Sequence, residues 1–317
     1  MPYKNTRHLL TISSLAPAEF ERLIDTAIDM KINPEKYQKS CSGKQLLAFF
    51  AKPSLRTRIS LETAMTNLGG HCIYYELGAN SNLGVKETMQ DTAEVISRMV
   101  DVVSARLPTR ASMTELAKFA SVPCINALDD WAHPLQMVCD FMTIKMHFGS
   151  FKGLRMCYSG DCYNNVTYDI MRACAMLGME MVVICPDHKD YSPVQEVIDE
   201  VATLNRISGG KCTIAHDIKA CAGVNIMYAD SWMSYHISKD QKAERYKHLM
   251  PFQINDEAMA LTATNSVFMN CLPAQRGDEQ TASVMDGPKS IAYTEAGNRL
   301  WSAMAVLNFF INDVVSK

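Results

Sequence analysis

The sequence has no large excess of charge of either sign and no long apolar run. Its 317 residues include 31 Lys and Arg against 34 Asp and Glu, a formal net charge of −3. Such a balance produces no field that attracts nucleic acid or an anionic membrane. Because no run of about 18 apolar residues occurs, we expect no membrane-spanning helix. An anionic small-molecule substrate would have to be held by a few placed arginines.

Metal-binding and targeting motifs are missing as well. The eleven cysteines form no C-x-x-C pair, and the chain has no H-E-x-x-H motif and no calcium-binding loop, so we expect no metal site. Residues 1–7 lack the apolar core and cleavage site of a secretion signal, and they lack the Arg- and Ser-rich character of a transit peptide. We therefore interpret the cysteines as reduced thiols and expect a cytoplasmic protein.

Strand and helix patterns alternate along the chain in two similar halves. The length exceeds what one core usually holds, which indicates two domains. The predicted strands are 46–50, 71–75, 101–105, 123–127, 154–159, 180–185, 213–215, 224–228 and 266–269. The predicted helices are 17–30, 54–68, 85–99, 112–120, 135–147, 166–177 and 193–205. This alternation predicts an α/β fold of two doubly wound parallel-sheet domains, with the active site in the cleft between them and a boundary near 148–153.

Polar residues that follow the strands mark the expected sites, because ligands of open α/β sheets bind beyond the carboxyl ends of the strands. In the first half these residues are 54–58, Arg106, His133 and Gln136. In the second half they are Asn164, Asn165, Asp230 and 270–273. The first set suits a phosphate and a developing oxyanion, and the second suits a zwitterionic amino acid. Together they indicate a two-substrate transferase.

The segment 54–58 lies where a strand passes into a helix. Free N–H groups and the positive end of the helix dipole favour an anion there. Arg56 adds a bidentate phosphate donor, and Ser54 and Thr57 add hydroxyls. On this segment alone, a helix cap with solvated arginines explains the residues equally well. Arg58 is interpreted as structural, since it can pair with Glu62 at i,i+4 spacing.

Motifs in register over essentially the whole chain resemble the aspartate and ornithine carbamoyltransferases. Segment 52–58, Lys-Pro-Ser-Leu-Arg-Thr-Arg, is similar to their Ser-Thr-Arg-Thr-Arg phosphate loop, and 133–136, His-Pro-Leu-Gln, to their His-Pro-x-Gln. Segment 270–273, Asn-Cys-Leu-Pro, resembles the His-Cys-Leu-Pro of the ornithine branch. Segments 295–299, Glu-Ala-Gly-Asn-Arg, and 230–234, Asp-Ser-Trp-Met-Ser, resemble its Glu-Ala-Glu-Asn-Arg and Asp-x-Trp-x-Ser.

The resemblance implies two sets of ligands. For carbamoyl phosphate these are Ser54, Leu55, Arg56, Thr57, Arg106, His133, Gln136, Cys271, Leu272 and Arg299, with Asn82 from a neighbouring subunit and Lys86 as a further candidate. For ornithine they are Asn165, Asp230, Ser234, Tyr235 and Cys271. Arg106, His133, Cys271 and Arg299 are the expected catalytic residues. Taken singly, each has a plain structural explanation: a surface arginine, a helix-start histidine, a core thiol or a helix cap.

Three departures from the family pattern affect the expected site. Leu55 replaces a threonine of the phosphate loop and removes a hydroxyl, although its backbone N–H stays. Asn270 stands where the family has histidine, so we expect the donor beside the substrate carbonyl to be changed rather than lost. The Ser-Met-Gly of the ornithine loop is Ser234-Tyr235-His236 here, which puts the fit around the substrate side chain in doubt.

The resemblance also implies an activity and an assembly. The expected reaction carbamoylates ornithine without cofactor or metal, in a homotrimer with shared active sites. Residues 1–147 would bind carbamoyl phosphate, residues 148–295 ornithine, and a helix over 296–317 would pack back on the first domain. Putrescine and aspartate are alternative acceptors, and an inactive homologue that binds carbamoyl phosphate is an alternative from another class. The sequence leaves open whether the enzyme builds or degrades arginine.

Overall fold

The strands of the computed structural model form two separate parallel sheets. The structure describes residues 6–78, 87–233 and 237–313. The chain divides into one unit of 1–146 with 298–317 and a second unit of 147–297. The expectation of an α/β fold with two parallel-sheet domains is confirmed. Among the described residues, no helix has both the length and the apolarity to cross a membrane.

The sheet of the first unit contains four strands, β1 (Gln45–Phe50), β2 (His71–Glu76), β3 (Val102–Arg106) and β4 (Cys124–Leu128). Their order in space is β2-β1-β3-β4, and all pairs are parallel. The chain moves outward from β1 to β2 and then returns to the other side of β1. The direction of winding therefore reverses between β1 and β3, which is where open α/β sheets bind ligands.

The helices of the first unit are α1 (Pro17–Ile32), α2 (Leu55–Asn67), α3 (Met89–Ile96), α4 (Arg110–Phe119) and α5 (Pro134–Phe148), and α11 (Ala292–Asn308) ends in it. A π-helical turn, Phe309–Asp313, follows α11. Two predicted starts were wrong. Helix α3 begins at Met89 and not at residue 85, because the Thr88 hydroxyl accepts the Asp91 N–H and caps it. Helix α11 begins at Ala292, before the predicted residue 296.

The sheet of the second unit contains β5 (Arg155–Ser159), β6 (Glu180–Ile184), β7 (Lys211–Ala215), β8 (Ile226–Tyr228) and β9 (Val267–Met269). Their order is β7-β6-β5-β8-β9, again parallel, so the winding reverses between β5 and β8. The helices are α6 (Asn165–Met176), α7 (Gln195–Ser208), α8 (Lys242–Leu249), α9 (Asp256–Leu261) and α10 (Ala282–Met285). The last three of these helices were not predicted from the sequence.

Burial explains why the strands read as short apolar runs. Five of the six β1 residues are buried, as are all residues of β3, because helices cover both faces of a parallel sheet. In the second unit Cys157, Met227 and Phe268 come from three adjacent strands and join one apolar cluster. The strands thus form rigid supports whose carboxyl ends position the polar residues described below.

Candidate functional site

Ser54 joins the ends of β1 and β3 in the first unit. Phe50 and Arg106 are register partners on these neighbouring strands, so the loop after β1 begins beside Arg106. Arg106 Nη1 donates to Ser54 Oγ over 3.4 Å, and that hydroxyl donates to Thr57 Oγ1 over 3.0 Å. Ser54 precedes α2 but makes no side-chain cap bond to the helix backbone. The loop therefore presents two hydroxyls, a guanidinium and the positive end of a helix together.

Helix α11 brings Arg299 onto the same loop. Its Nη2 donates to Thr57 Oγ1 over 3.3 Å, and its Nη1 donates to Gln136 Oε1 and lies 3.5 Å from His133 Nε2. Arg299 is 6% exposed and lies inside the helix, so the reading of this residue as a helix cap is wrong. Gln136 Nε2 donates to Asp140 Oδ1 over 2.6 Å, so both ends of its carboxamide have protein partners.

His133 stands among positive charges. It is 5% exposed, and burial, followed by the charges of Arg299, Arg106 and Arg56, lowers its pKa well below the usual value. The imidazole is therefore neutral at neutral pH, and three guanidinium groups supply the local charge. A buried concentration of cations of this kind attracts a small polyanion.

Leu55 and Arg58, both in the first turn of α2, have different surroundings. Leu55, the first residue of the helix, is 73% exposed, so its side chain adds nothing polar to the loop. Arg58 Nε pairs with Glu62 Oε1 at 2.8 Å, and its guanidinium lies 3.8 Å from the ring centroid of Tyr74. The expected surface pair of Arg58 is confirmed.

In the second unit, Asp230 and Cys271 meet at the ends of β8 and β9. Because these strands are neighbours, Cys271 Sγ donates to Asp230 Oδ1 over 3.4 Å, and the N–H of Ser231 donates to the same oxygen over 2.7 Å. Cys271 is half-buried, so the reading of this thiol as inert core is wrong. A carboxylate beside a thiol, at the edge of a sheet, suits a ligand that carries an ammonium group.

Asn164 and Asn165 follow β5 and have different roles in the fold. Asn164 caps α6, since its Oδ1 accepts the N–H of Thr167 over 2.8 Å, and its Nδ2 donates to Tyr158 Oη over 3.1 Å. Asn165 is the first residue of α6 and is half-buried. Because β5 and β8 are adjacent, the start of α6 and Asp230 lie at the same edge of this sheet.

Asn270 does not serve the substrate as expected. The side chain is fully buried; its Nδ2 donates to Gln280 Oε1 over 3.1 Å and its Oδ1 accepts the N–H of Leu272 over 2.7 Å. The expectation of a changed donor beside the substrate carbonyl is therefore wrong, and Asn270 instead shapes the turn after β9. Leu272 in that turn has a φ of 60°, a left-handed conformation that is uncommon for leucine.

A buried carboxyl group beside Asp230 was not predicted from the sequence. Glu279 is 1% exposed; its Oε1 accepts the N–H of Gln275 over 2.7 Å, and its Oε2 has no hydrogen-bond partner among the described residues. Burial, with a smaller contribution from the Asp230 charge, raises the pKa of Glu279 to about 7. Glu279 lies in an irregular polar loop, where no periodicity distinguishes a buried carboxylate from a solvated one.

A second missed feature is the ion pair of Arg245 and Asp161. Arg245, on α8, donates to the Asp161 carboxylate and, over 3.0 Å, to the carbonyl oxygen of Trp232. It thereby ties the loop after β5 to the loop after β8. Burial raises the pKa of Asp161 to about 6 although the charge of Arg245 opposes this. The pair spans 84 positions of sequence, so no local pattern could indicate it.

Several expected ligands cannot be placed. Asn82, Lys86, Ser234 and Tyr235 lie outside the described residues, as does His236 of the same loop. Within the described ranges, no cluster of three or more His, Cys, Asp or Glu side chains could hold a metal ion.

Comparisons with known proteins match the two parts of the chain to two family models. Residues 7–146 match the family model of the aspartate/ornithine carbamoyltransferase carbamoyl-P binding domain, and residues 152–310 match that of the Asp/Orn binding domain. The ornithine carbamoyltransferase of Pyrococcus abyssi is 39% identical over 97% of this chain and 96% of its own length.

Solved structures give the same result. The X-ray structure of ornithine transcarbamoylase from Giardia lamblia is 59% identical, with a TM-score of 0.90 over 98% of this chain and 99% of that one. The structure of ornithine carbamoyltransferase from Pyrococcus furiosus is 38% identical, with a TM-score of 0.91 over 96% of both chains. Similarity at this level extends over both units.

Proposed function

Because the chain belongs to the aspartate/ornithine carbamoyltransferase family, we propose that it transfers the carbamoyl group of carbamoyl phosphate to the δ-amine of L-ornithine. The products are L-citrulline and phosphate. The observation that carries the proposal is the cluster in which Arg299 contacts Thr57, Gln136 and His133. This cluster has the charge and the donors that a carbamoyl phosphate dianion requires.

Carbamoyl phosphate is held by the first unit in this proposal. Arg56, Arg106 and Thr57, with the N-terminus of α2, bind the phosphate oxygens. Arg299 and the neutral His133 donate to the carbamoyl oxygen. Gln136 accepts from Arg299 and donates to Asp140, which supports a role in positioning Arg299, and it stays a predicted ligand of carbamoyl phosphate. Leu272 and Cys271 stay predicted contacts of carbamoyl phosphate.

Ornithine is held by the second unit. Its α-ammonium pairs with the Asp230 carboxylate, and Asn165 binds the α-carboxylate with an amide donor. The half-buried Cys271 is a predicted contact of the substrate chain. Ser234 and Tyr235 stay predicted contacts, since they lie outside the described residues. Glu279 is buried beside Asp230, and because its pKa is about 7, the negative charge near Asp230 changes with pH around neutrality.

The reaction requires a neutral amine, although the reference pKa of an alkyl ammonium group is about 10.4. Nearby arginines favour the neutral form by repulsion. The amine nitrogen attacks the carbamoyl carbon, and the carbonyl oxygen gains charge that Arg106, Arg299 and His133 stabilise. The carbon–oxygen bond to phosphate then breaks, phosphate leaves with that electron pair, and the leaving phosphate takes the proton that the amine nitrogen loses.

The acceptor is tested with a panel of amines. We expect L-ornithine to be carbamoylated far faster than putrescine, lysine or aspartate, because putrescine has no carboxylate for Asn165 and no α-ammonium for Asp230. Equal rates with putrescine would refute ornithine as the acceptor while leaving the transferase. No phosphate release with any amine would favour an inactive homologue. Ornithine as acceptor places the chain in arginine metabolism, and its cytoplasmic location stays a prediction.

We also propose a homotrimer, supported by exposed apolar side chains in the first unit. Strand β2 is an edge strand, and Ile73 and Tyr75 on it are 43% and 51% exposed. On α2, Leu55 and Ile59 are 73% and 55% exposed. A free edge with apolar side chains is typical of a subunit interface. In the family pattern Asn82 then completes the phosphate site of the neighbouring subunit.

A mixing experiment tests the shared site. Arg106→Ala damages a chain's own site, and Asn82→Glu damages its neighbour's, so each variant alone should be nearly inactive. Refolding them together should restore activity, because some sites then combine an intact Arg106 with an intact Asn82. Mixed trimers that stay inactive would show that the sites are not shared.

A further inference from the structure

Two buried thiols of the second unit lie against each other at the carboxyl ends of β5 and β6. Cys162 and Cys185 are both fully buried. Cys162 Sγ lies 3.6 Å from the carbonyl oxygen of Ile184, the residue that precedes Cys185. The side chains of Cys162 and Cys185 also interact directly. We propose that this pair is an oxidation site, at which a hydroperoxide forms a reversible disulfide between the two sulfurs.

The surroundings give the two thiols different roles. Cys185 Sγ lies 3.6 Å from Ser192 Oγ, and His216 Nδ1 lies 2.9 Å from the Cys185 carbonyl oxygen. The hydrogen bond from Cys162, together with Ser192 and His216, lowers the pKa of Cys185 to about 7 against the effect of burial. Burial raises the pKa of Cys162 well above its usual value. Cys185 is therefore the nucleophile and Cys162 the resolving thiol.

The buried Cys185 is followed at once by an exposed turn. Residues 187–190 are exposed and begin two positions after it. The chain then folds back, because Tyr191 N–H donates to His188 O over 3.0 Å and Cys162 N–H donates to Tyr191 O over 2.9 Å. In this proposal, opening of the exposed turn admits the oxidant to the two buried thiols.

The chemistry is balanced with hydrogen peroxide as the oxidant. The Cys185 sulfur attacks one peroxide oxygen, the oxygen–oxygen bond breaks, and a sulfenic acid and one water form. The Cys162 sulfur then attacks the Cys185 sulfur and displaces hydroxide, which takes the Cys162 proton and leaves as the second water. Two thiols are oxidised to a disulfide and one peroxide is reduced to two waters.

Oxidation would act on the ornithine site through the loop that contains Cys162, and this consequence rests on the proposed function. Asp161 and Asn164 flank Cys162; the first is paired with Arg245 and the second caps α6, which begins at Asn165. A new bond at Cys162 shifts this loop. We expect a several-fold higher KM for ornithine and unchanged binding of carbamoyl phosphate, both reversed by dithiothreitol.

Peptide mapping tests the oxidation site independently of activity. The reduced protein is treated with hydrogen peroxide, alkylated, digested with trypsin without reduction and analysed by mass spectrometry. Peptide 156–172 contains Cys157 and Cys162, and peptide 173–189 contains Cys174 and Cys185. In the expected product, a Cys162–Cys185 disulfide joins the two peptides, and Cys157 and Cys174 are alkylated. Cys174→Ser is the matched control, since Cys174 is buried on the same peptide against Met156 and Met181 sulfurs.

Cysteine variants test whether Cys162 and Cys185 are the two residues that form the disulfide. The cross-link should persist in Cys174→Ser and disappear in Cys185→Ser. In Cys162→Ala the sulfenic acid should accumulate on Cys185 and react with dimedone. A cross-link that survives Cys185→Ser, or oxidation of Cys271 alone in the wild-type protein, would overturn the proposal. If the cross-link forms in a protein that carbamoylates no amine, the proposed function fails and the oxidation site stands.

Discussion

The guanidinium of Arg299 lies 3.3 Å from the hydroxyl of Thr57, a residue 242 positions earlier in the chain. The same guanidinium contacts Gln136 and His133, so one side chain joins three segments of the first unit. The planar guanidinium has several N–H donors, so it can donate hydrogen bonds to Thr57 and Gln136 at the same time.

Arg299→Lys should therefore lower kcat by about 10²-fold or more, the usual cost of losing one preorganised donor to an oxyanion. A lysine keeps the charge but cannot donate to Thr57 and Gln136 together. Steady-state kinetics with both substrates measure the effect. Arg58→Lys is the matched control, since Arg58 is paired with Glu62 at the surface, and it should stay close to wild type. Similar activities in the two variants would contradict the proposed role of Arg299.

Asp230→Asn should weaken ornithine binding by about 10- to 100-fold, the equivalent of about 1.5–3 kcal/mol for a hydrogen bond to a charged group. The amide keeps the shape of the side chain and loses the charge that pairs with the α-ammonium. Calorimetric titration with carbamoyl phosphate should give an unchanged Kd. Cys271→Ala removes only the thiol that donates to Asp230 and should have a smaller effect. An unaltered ornithine KM in Asp230→Asn would remove Asp230 from the site.

Gly160→Ala should destabilise the second unit through a specific contact. A Cβ at residue 160 would lie 2.5 Å from Trp232 Nε1, and the φ of 126° is unfavourable for alanine. Gly149→Ala is the control, because its φ of 80° gives backbone strain while no atom lies within 4 Å of the added Cβ. Urea unfolding should show Gly160→Ala to be less stable than the control by about 1–3 kcal/mol, the usual cost of overpacking. Equal losses of unfolding free energy in Gly160→Ala and Gly149→Ala would mean that the Trp232 side chain moves away from the added Cβ without cost.

Arg245→Met should destabilise the fold by about 3–5 kcal/mol, because it leaves the buried Asp161 carboxylate without its partner. Burial raises the pKa of Asp161 to about 6 and the charge of Arg245 opposes this rise, so the pKa of the folded variant is higher than that of the wild type. The free energy of unfolding that Arg245→Met loses relative to the wild type should consequently grow as pH rises through 6. Unfolding titrations at pH 5 and pH 8 measure it, and Asp161→Asn in the same chain should recover much of the stability at pH 8. No recovery would indicate that Arg245 acts through packing alone.

His8 should make the protein less stable in acid. Its Nδ1 accepts the N–H of Cys124 over 3.0 Å, and burial lowers its pKa to about 4. Between pH 6.5 and pH 4 the unfolded chain binds a proton that the folded chain does not, so the free energy of unfolding falls by up to about 1.4 kcal/mol per pH unit. His8→Asn keeps an acceptor and removes the titration, and its stability should depend less on pH over this range. Parallel pH profiles for variant and wild type would exclude His8 as a source of acid sensitivity.

The sequence alone determined the local elements and the kinds of chemistry at their ends. Runs of three to six residues between helical periodicities predicted the strands of both sheets. The inner strands are apolar because burial on both faces leaves little room for polar residues, whereas the edge strands β2 and β7 are partly exposed. The order of ligands along the chain followed from the same pattern. Periodicity did not give the start of α3 correctly, because that start depends on a single capping hydroxyl, that of Thr88.

Only the tertiary structure decided which strand ends are neighbours and which side chains are buried. The orders β2-β1-β3-β4 and β7-β6-β5-β8-β9 depend on how the connections cross, and they place Ser54 beside Arg106 and Asp230 beside Cys271. Asn270 faces inward, and Glu279, Arg245 and the Cys162–Cys185 pair became visible only when distant segments packed together. Periodicity reports the local environment of a residue, whereas desolvation and the partners of a charge depend on contacts across the whole fold.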